Sequence, residues 1–383
     1  MVKRVAIVGI GTTGFRPVTP DVSYRELIFE AARKAYTDAG LEPDEIDGFV
    51  TATEDFMEGY SIADEYTPDQ LGAVLKPTQT VPGDFIQAMA TAYMMIMTGA
   101  FHTVAVEAHS KASNVKNIGE LVGFALDPIY NRPLRESYHT IAGLEMTRYM
   151  FETYAPAEAC ASVVVKNKGN ALRNPYAAFG ADITEADVFN SEPVALPLRR
   201  LDIAPHADGA VVVVLADDST ANNLTDAPIW IEGLGWCTDT PTLEMREWGE
   251  AAYAKIAAEM AYKMAGINSP ISQIDFAEIS DEYSYKELQH MEALNFCMRG
   301  EAAHLVTSGA TSISGEFPIN VSGGAIGVGH LFEASGAQKI HELVEQLRGE
   351  AGTRQIPDVE VGLAQTWRGV PTATGAVAIL SNQ

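Results

Sequence analysis

Cysteine is nearly absent: Cys160, Cys237 and Cys297 are the only three in a chain of 383 residues, and no two share a C-x-x-C spacing. That excludes a disulfide framework and gives no sign of a zinc site, so no metal is expected. Basic residues are scarce too. Against 51 Asp and Glu stand 26 Lys and Arg, a formal net charge of −25, and a surface so acidic repels nucleic acid and anionic membranes. Long apolar runs are also missing, since none approaches the ~20 residues of a membrane span, and no basic, apolar, small-residue leader is expected. With 47% hydrophobic residues and a mean hydropathy near zero, the sequence predicts a soluble, cytoplasmic protein with two core-bearing halves.

What is there is an internal repeat. The segment AYTDAGLEPDEIDGFV (35–50) returns as AYKMAGINSPISQIDFAE (261–278). Each copy ends a helix at Ala-Gly, turns through a polar stretch with proline, and opens a β-rich run at Ile-Asp. Further strands are predicted at RVAIVG, TVAVEA and GAVVVVLA in the first half and at IWIEGLG, VEVGLAQ and TGAVAIL in the second. Continuous apolar runs of this kind, alternating with helices, define an α/β chain whose sheets are covered on both faces. The expected division is 1–218 and 219–383, joined through the polar DDSTANNLTDAP (217–228). An insertion at about 113–197 has no counterpart in the second half and is the most basic part of the chain.

Two stretches predict helix starts that face one another across the repeat axis. MATAYMMIMTG (89–99) is apolar all round and follows TVPGD, where Asp84 suits an N-cap. Its counterpart is SGGAIGVGHLFEASG (322–336), a glycine-crowded turn that delivers His330 to the head of a second helix. Paired helix N-termini offer free N–H groups and partial positive charge to a developing anion. GIGTTG (9–14) has dinucleotide-loop spacing, but FRPVTPDVS follows where a helix must start, so a plain strand-end loop is expected.

Four longer segments, RRLDIAPHADGAVVVV, KNKGNALRNPYAAF, EISDEYSYKELQHMEALNFCMRGEA and FPINVSGGAIGVGHLFEASG, resemble in order the motifs of the thiolase superfamily. The likeness is to its sterol-carrier-protein-thiolase branch and that branch's archaeal and bacterial relatives. It implies a five-layer αβαβα fold of two similar halves, a homodimer, a coenzyme A thioester as substrate with no bound cofactor, and C–C bond chemistry beside a carbonyl in lipid metabolism. In that family a cysteine at the first helix start takes the acyl group, a Gly-His-Pro histidine activates it and holds the thioester oxyanion, and a late Cys-x-Gly cysteine moves a proton. This chain departs from the pattern. Its nucleophile position falls at or near Pro82, Trp367 stands for the late cysteine, and the family's His-Asp-x-Phe has become Ser280-Asp281-Glu282-Tyr283.

The resemblance makes His330, Asp84, Ser280, Asp281, Glu282 and Tyr283 the catalytic candidates, with Tyr285 beside them, and Asn320, Gly323, Gly324 and Gly329 the substrate-binding candidates. Arg132, Arg135, Lys166 and Arg173 are candidate partners of the CoA phosphates. Two readings stay open. One is an acyl-CoA lyase or atypical acyltransferase that works through a thioester enolate without an acyl-cysteine, for example by retro-aldol cleavage. The other is a noncatalytic thiolase-like subunit or acyl-CoA-binding component of a heteromeric complex, beside a zinc-ribbon/OB-fold partner or a catalytic thiolase-like chain.

Overall fold

The computed structural model describes residues 4–54 and 62–383. In chain order its strands are β1 (Val5–Thr12), β2 (Gly48–Ala52), β3 (Thr78–Val81), β4 (Thr103–Lys111), a small hairpin of β5 (Pro193–Ala195) and β6 (Leu198–Arg199), then β7 (Asp208–Asp217), β8 (Ile229–Thr238), β9 (Phe276–Glu278), β10 (Val361–Trp367) and β11 (Thr374–Ser381). All but the hairpin join one sheet in the order β3-β2-β4-β7-β1-β8-β11-β10-β9. The order is a mirror. Outward from the central β1–β8 pair, β7 matches β11, β4 matches β10 and β2 matches β9, and the pairing sense matches too: antiparallel twice, then parallel. Even β3 has a remnant counterpart, the isolated parallel bridge Ala277↔Ile319.

The repeat seen in the sequence is therefore a repeat of structure. The helix Tyr24–Ala39 ends at Gly40, and the helix Ala252–Ala265 at Gly266, both glycines left-handed at φ 67° and 71°. Each helix covers the outer face of its own half, the first on β1 and β7, the second on β8 and β11. Between the halves lie two central helices, Phe85–Met97 and Ser335–Arg348, whose apolar sides share one core with residues of both half-sheets. Helix, sheet, helix, sheet, helix are thus the five layers. Of the four methionines in the first central helix, Met89 is wholly buried in this core while Met94 is 48% exposed, so they form no single ligand-facing stripe.

The GIGTTG stretch continues β1 to Thr12 and no helix begins before Tyr24. A β-carbon at Gly9 or Gly11 would strike the backbone of the Tyr24–Ala39 helix at Ala35 or Ala31. These glycines serve close helix–strand packing rather than a phosphate. The polar 217–228 stretch forms the short helix Asp218–Leu224, capped by Asp217, between β7 and β8. The chain between β4 and β7 folds into the helices Ile118–Gly123, Tyr138–Thr153, Ala157–Ala171 and Glu185–Asn190; the third packs against the turn helix Gly324–Val328. Among the described residues no helix is long and apolar enough to cross a membrane, and no cluster of His, Cys, Asp or Glu could hold a metal ion.

Candidate active site

One extended strap places the site. Residues Ile203–Ala207 run between the two motifs that the sequence marked, bridging Tyr283 through Ile203 and His330 through His206. The Ala204 N–H donates to the Glu282 carbonyl at 2.9 Å; the His330 N–H donates to the Pro205 carbonyl at 2.7 Å, and the Ala207 N–H to the His330 carbonyl at 3.1 Å. Gly329 makes this possible. It holds φ 118° and lies against Ala207 and Phe179, where a side chain has no room, so the turn can set His330 directly on the strap.

The side chains so held line a cavity of about 570 Å³, a size suited to a small-molecule ligand. His330, His206, His139, Tyr283, Glu282, Glu54 and Arg368 supply its polar wall, and Pro82 lies in its lining. Leu121, Val122, Phe124 and Ala125, from the region between β4 and β7, supply an apolar wall with Ile203, Phe332 and Val370. Glu54 and Arg368 form an ion pair within the lining. The Tyr283 hydroxyl sits 3.1 Å from His139 Nδ1, and the His206 and His330 rings lie 5.1 Å apart.

Electrostatically the wall is close to neutral. Burial, then the charge of Arg200, pushes His139 down to about 4. Burial, then His139, does the same to His206. His330 lies well below the ordinary histidine range through burial, then His206 and Lys339. All three rings are uncharged at neutral pH and act as hydrogen-bond groups, not cations. Burial holds the Tyr283 phenol far above its usual value, so it stays protonated. Glu282 is raised by burial, against the pull of Lys339. Neither Glu282 oxygen, nor His330 Nε2, has a hydrogen-bond partner among the described residues. A buried polar atom left unbonded beside a cavity is free to bond a ligand or a water.

The remaining sequence candidates are placed elsewhere. Asp84 is a cap: its Oδ1 accepts from Ile86 N at 2.9 Å and its Oδ2 from Gly336 N at 3.1 Å, so one carboxylate ties the starts of both central helices. Asp281 caps the Gly324–Val328 turn through Ala325 N and Ile326 N, and takes Asn167 Nδ2 at 2.7 Å. The Ser280 hydroxyl accepts from Trp367 N, and the Tyr285 hydroxyl donates to Glu145 at 2.7 Å. Asn320 bonds Ile279 N and Glu287. Gly323 and Gly324 have positive φ, 111° and 56°, but their close neighbours are Ala171 and Asp281. None of these, and not Gly329, lines the cavity; Gly323 packs against Ala171, Gly324 against the Asp281 carboxylate and Gly329 against Ala207 and Phe179. Lys166 is committed to Glu287 at 2.7 Å, and Arg132 donates to the carbonyls of Phe124 and Leu126.

Asp84 yields a testable pH dependence. Burial, opposed by its two backbone bonds, Thr366 and Lys339, raises it to about 6 from 3.8. A carboxyl raised on folding contributes stability that is present below its unfolded value and lost as pH climbs to its folded one. Asp84→Ala is therefore expected to destabilise by roughly 2–3 kcal/mol at pH 4, where two helix N–H groups lose their acceptor, with the gap narrowing by about 2 kcal/mol by pH 7. Urea unfolding at both pH values reads this, and a gap that widens with pH would sink it.

No cysteine reaches the cavity. Cys160 is buried on the Ala157–Ala171 helix and pushed far up by burial, Cys297 is pushed up to about 12, and Cys237 lies on β8; none lines the cavity that Pro82 and His330 share. Trp367 is a strut: Nε1 donates to the Thr372 carbonyl at 3.0 Å, closing the 368–372 loop whose residues face the cavity. Sequence reasoning missed His139, His206, Glu54 and Arg368. His206 and Arg368 were inside or beside quoted motifs, whereas His139 belongs to the insertion and Glu54 follows β2, with no pattern pointing to either.

Mirrored α/β halves meeting at two helix starts beside a histidine-bearing cavity define a thiolase-type protein. A family model described as thiolase C-terminal domain-like matches residues 236–382. The chain is 31% identical over 387 residues to an acetyl-CoA acetyltransferase of Methanothermobacter thermautotrophicus, covering 99% of this chain and 100% of that protein. It is 29% identical over 386 residues to 17-hydroxy-3-oxo-4-pregnene-20-carboxyl-CoA lyase of Mycobacterium tuberculosis, covering 97% and 98%. The solved Ltp2-ChsH2(DUF35) aldolase superposes with a TM-score of 0.83 at 28% identity, covering 99% of this chain and 98% of that one. The chain belongs to the thiolase superfamily.

Proposed function

We propose that this protein makes or breaks a C–C bond beside the carbonyl of an acyl-CoA thioester, through an enolate and without an acyl-cysteine. The observation that carries the reading is the cavity's lining: it includes His330 and Pro82, at or near which the resemblance puts the family's nucleophile, and none of the three cysteines. The relatives support the class of chemistry, being named an acetyltransferase, a CoA lyase and an aldolase.

In the cleavage direction the substrate is a β-hydroxyacyl-CoA. The Glu282 carboxylate takes the hydroxyl proton, the Cα–Cβ bond breaks as the hydroxyl carbon becomes a carbonyl, and the bond's electron pair passes into the thioester as an enolate. His330, with Nε2 protonated, donates to the enolate oxygen. Glu282 then returns its proton to Cα, releasing a shortened acyl-CoA and an aldehyde or ketone. Each step uses a group whose hydrogen-bonding capacity is unspent in the structure. The Tyr283–His139 pair would orient the β-oxygen.

Because no thiol takes part, a variant with all three cysteines replaced by alanine is expected to keep kcat within about threefold of wild type, and iodoacetamide should leave turnover unchanged; replacing a group outside the reacting set costs little. Mass-spectrometric turnover of β-hydroxyacyl-CoA and β-ketoacyl-CoA esters, with and without free CoA, tests both. Cleavage that requires free CoA and dies with the thiols would restore a ping-pong cycle.

A second reading has one observation in its favour. The aldolase matched in structure carries two names, Ltp2 and ChsH2(DUF35), and beside the cavity wall this chain exposes Phe124, Ile129, Tyr130 and Leu134 at 60–74%. On that reading the chain works within a heteromeric complex, and if it is the silent member, His330→Ala leaves the activity of the assembled complex intact.

A further inference from the structure

Behind the cavity wall lies a set of buried charged groups, and their hydrogen bonds can be accounted for one by one. Asp84 accepts from Ile86 N and Gly336 N. Glu278 accepts from the backbone and hydroxyl of Ser322. Asp281 accepts from Ala325 N, Ile326 N and Asn167. Glu287 is held by Lys166, Asn167 and Asn320, and Glu342 by Arg354 and Gln346. After this accounting two ionisable groups are left over. One is Glu282, 3% exposed, whose nearest donors, the Ser280 hydroxyl and its own backbone N–H, make no well-formed hydrogen bond to it. The other is Lys339, 0% exposed, whose ammonium makes no hydrogen bond and no ion pair among the described residues.

Burying an ionised carboxylate or an ammonium alone is costly, so opposite charges left over in one interior compensate each other even without direct contact; the other buried cation that Glu282 acts on, Lys286, is already held by Glu145 and Gln289. Lys339 lies on the second central helix one turn past Gly336, the residue bonded to Asp84. It acts electrostatically on groups from every side: Asp84 at the start of the first central helix, Glu278 of β9, Asp281 and Glu282 of the turn that follows, His290 of the Ser284–Ala293 helix, and His330. Of these acids only Glu282 lines the cavity.

We propose that Lys339 is a positioning residue for the reaction: it is the buried counter-charge that keeps the Glu282 carboxylate ionised, and so available as a base. The inference rests on the role given to Glu282 above. Lys339 touches no substrate and acts only through its effect on that carboxylate.

The test has two readouts. The first is stability and needs no turnover. Glu282→Gln and Lys339→Met each leave one buried charge uncompensated, whereas the double variant removes both, so the double variant is expected to melt above at least the less stable single variant rather than at the sum of the two losses. Additive losses would overturn the pairing. The second is the pH profile of kcat/KM in wild type, Lys339→Met and Lys339→Arg. Losing the cation raises the pKa of the base, so in Lys339→Met the acidic limb should move up by about one pH unit, a fall of about tenfold below the limb with little change above it. Lys339→Arg should restore the wild-type limb. A uniform loss at every pH, or an unmoved limb, would show a merely structural lysine. If the wild type turns over nothing, the functional reading falls, and the pairing is still decided by the melting cycle.

Discussion

Alanine at His330 is expected to lower kcat/KM for acyl-CoA cleavage by a factor of about 10²–10³, the cost of removing one donor from a developing oxyanion, while the protein remains folded. The geometry separates these effects. What fixes residue 330 is its backbone, through Pro205 and Ala207, and a shortened side chain keeps both bonds. What is lost is Nε2, which has no partner among the described residues, so its loss should cost the fold little. Because the ring is held uncharged, its removal should scale the rate without introducing or deleting a titration near pH 6.5. Circular dichroism beside mass-spectrometric turnover checks both parts. Activity within tenfold of wild type in a folded His330→Ala would mean that another group holds the thioester oxygen.

Glutamine at Glu282 is expected to cost about 10²–10⁴ in kcat, the usual range for a positioned general base. The change keeps shape and volume and deletes only basicity. Its wild-type signature is in the pH profile. Burial raises the carboxyl above its ordinary 4.5; since a base works only when deprotonated, kcat/KM should climb through an acidic limb displaced to higher pH than an exposed glutamate would give. The three cavity histidines, already neutral, add no limb of their own there. Should Glu282→Gln retain its rate, the proton must leave by the Tyr283–His139 pair, and Tyr283→Phe would then show the loss instead.

The fold was legible because its information is local and doubled. Ala-Gly helix ends at Gly40 and Gly266, and apolar runs at β1, β4, β7, β8, β10 and β11, follow from short-range chemistry that the chain states twice. The site was legible in part. His330, Glu282 and Tyr283, candidates by the family resemblance, line the cavity, whereas Asp84, which suits an N-cap in sequence, and Asp281 do not. Their bonds to Gly336, Ala325 and Ile326 are those of caps, and it takes the folded positions of those N–H groups to show them. His139 and His206 depend on where the insertion and the 203–207 strap cross the cavity. That is a tertiary relation between residues more than 100 positions apart from their partners Tyr283 and His330, which no periodicity encodes.

The carboxylate that ties the two central helices together also bears on whether a thiol introduced beside it could become reactive. Asp84 is a tethered anion, already spending the N–H groups of both helix starts. A cysteine introduced at Pro82 would find that field largely neutralised, and its thiol would stay near the ordinary value of about 8.5 rather than ionising as reactive cysteines do. A reactive thiol at this place would thus need at least two changes: the aspartate must leave before the sulfur can gain. The proline is only the visible half of the barrier.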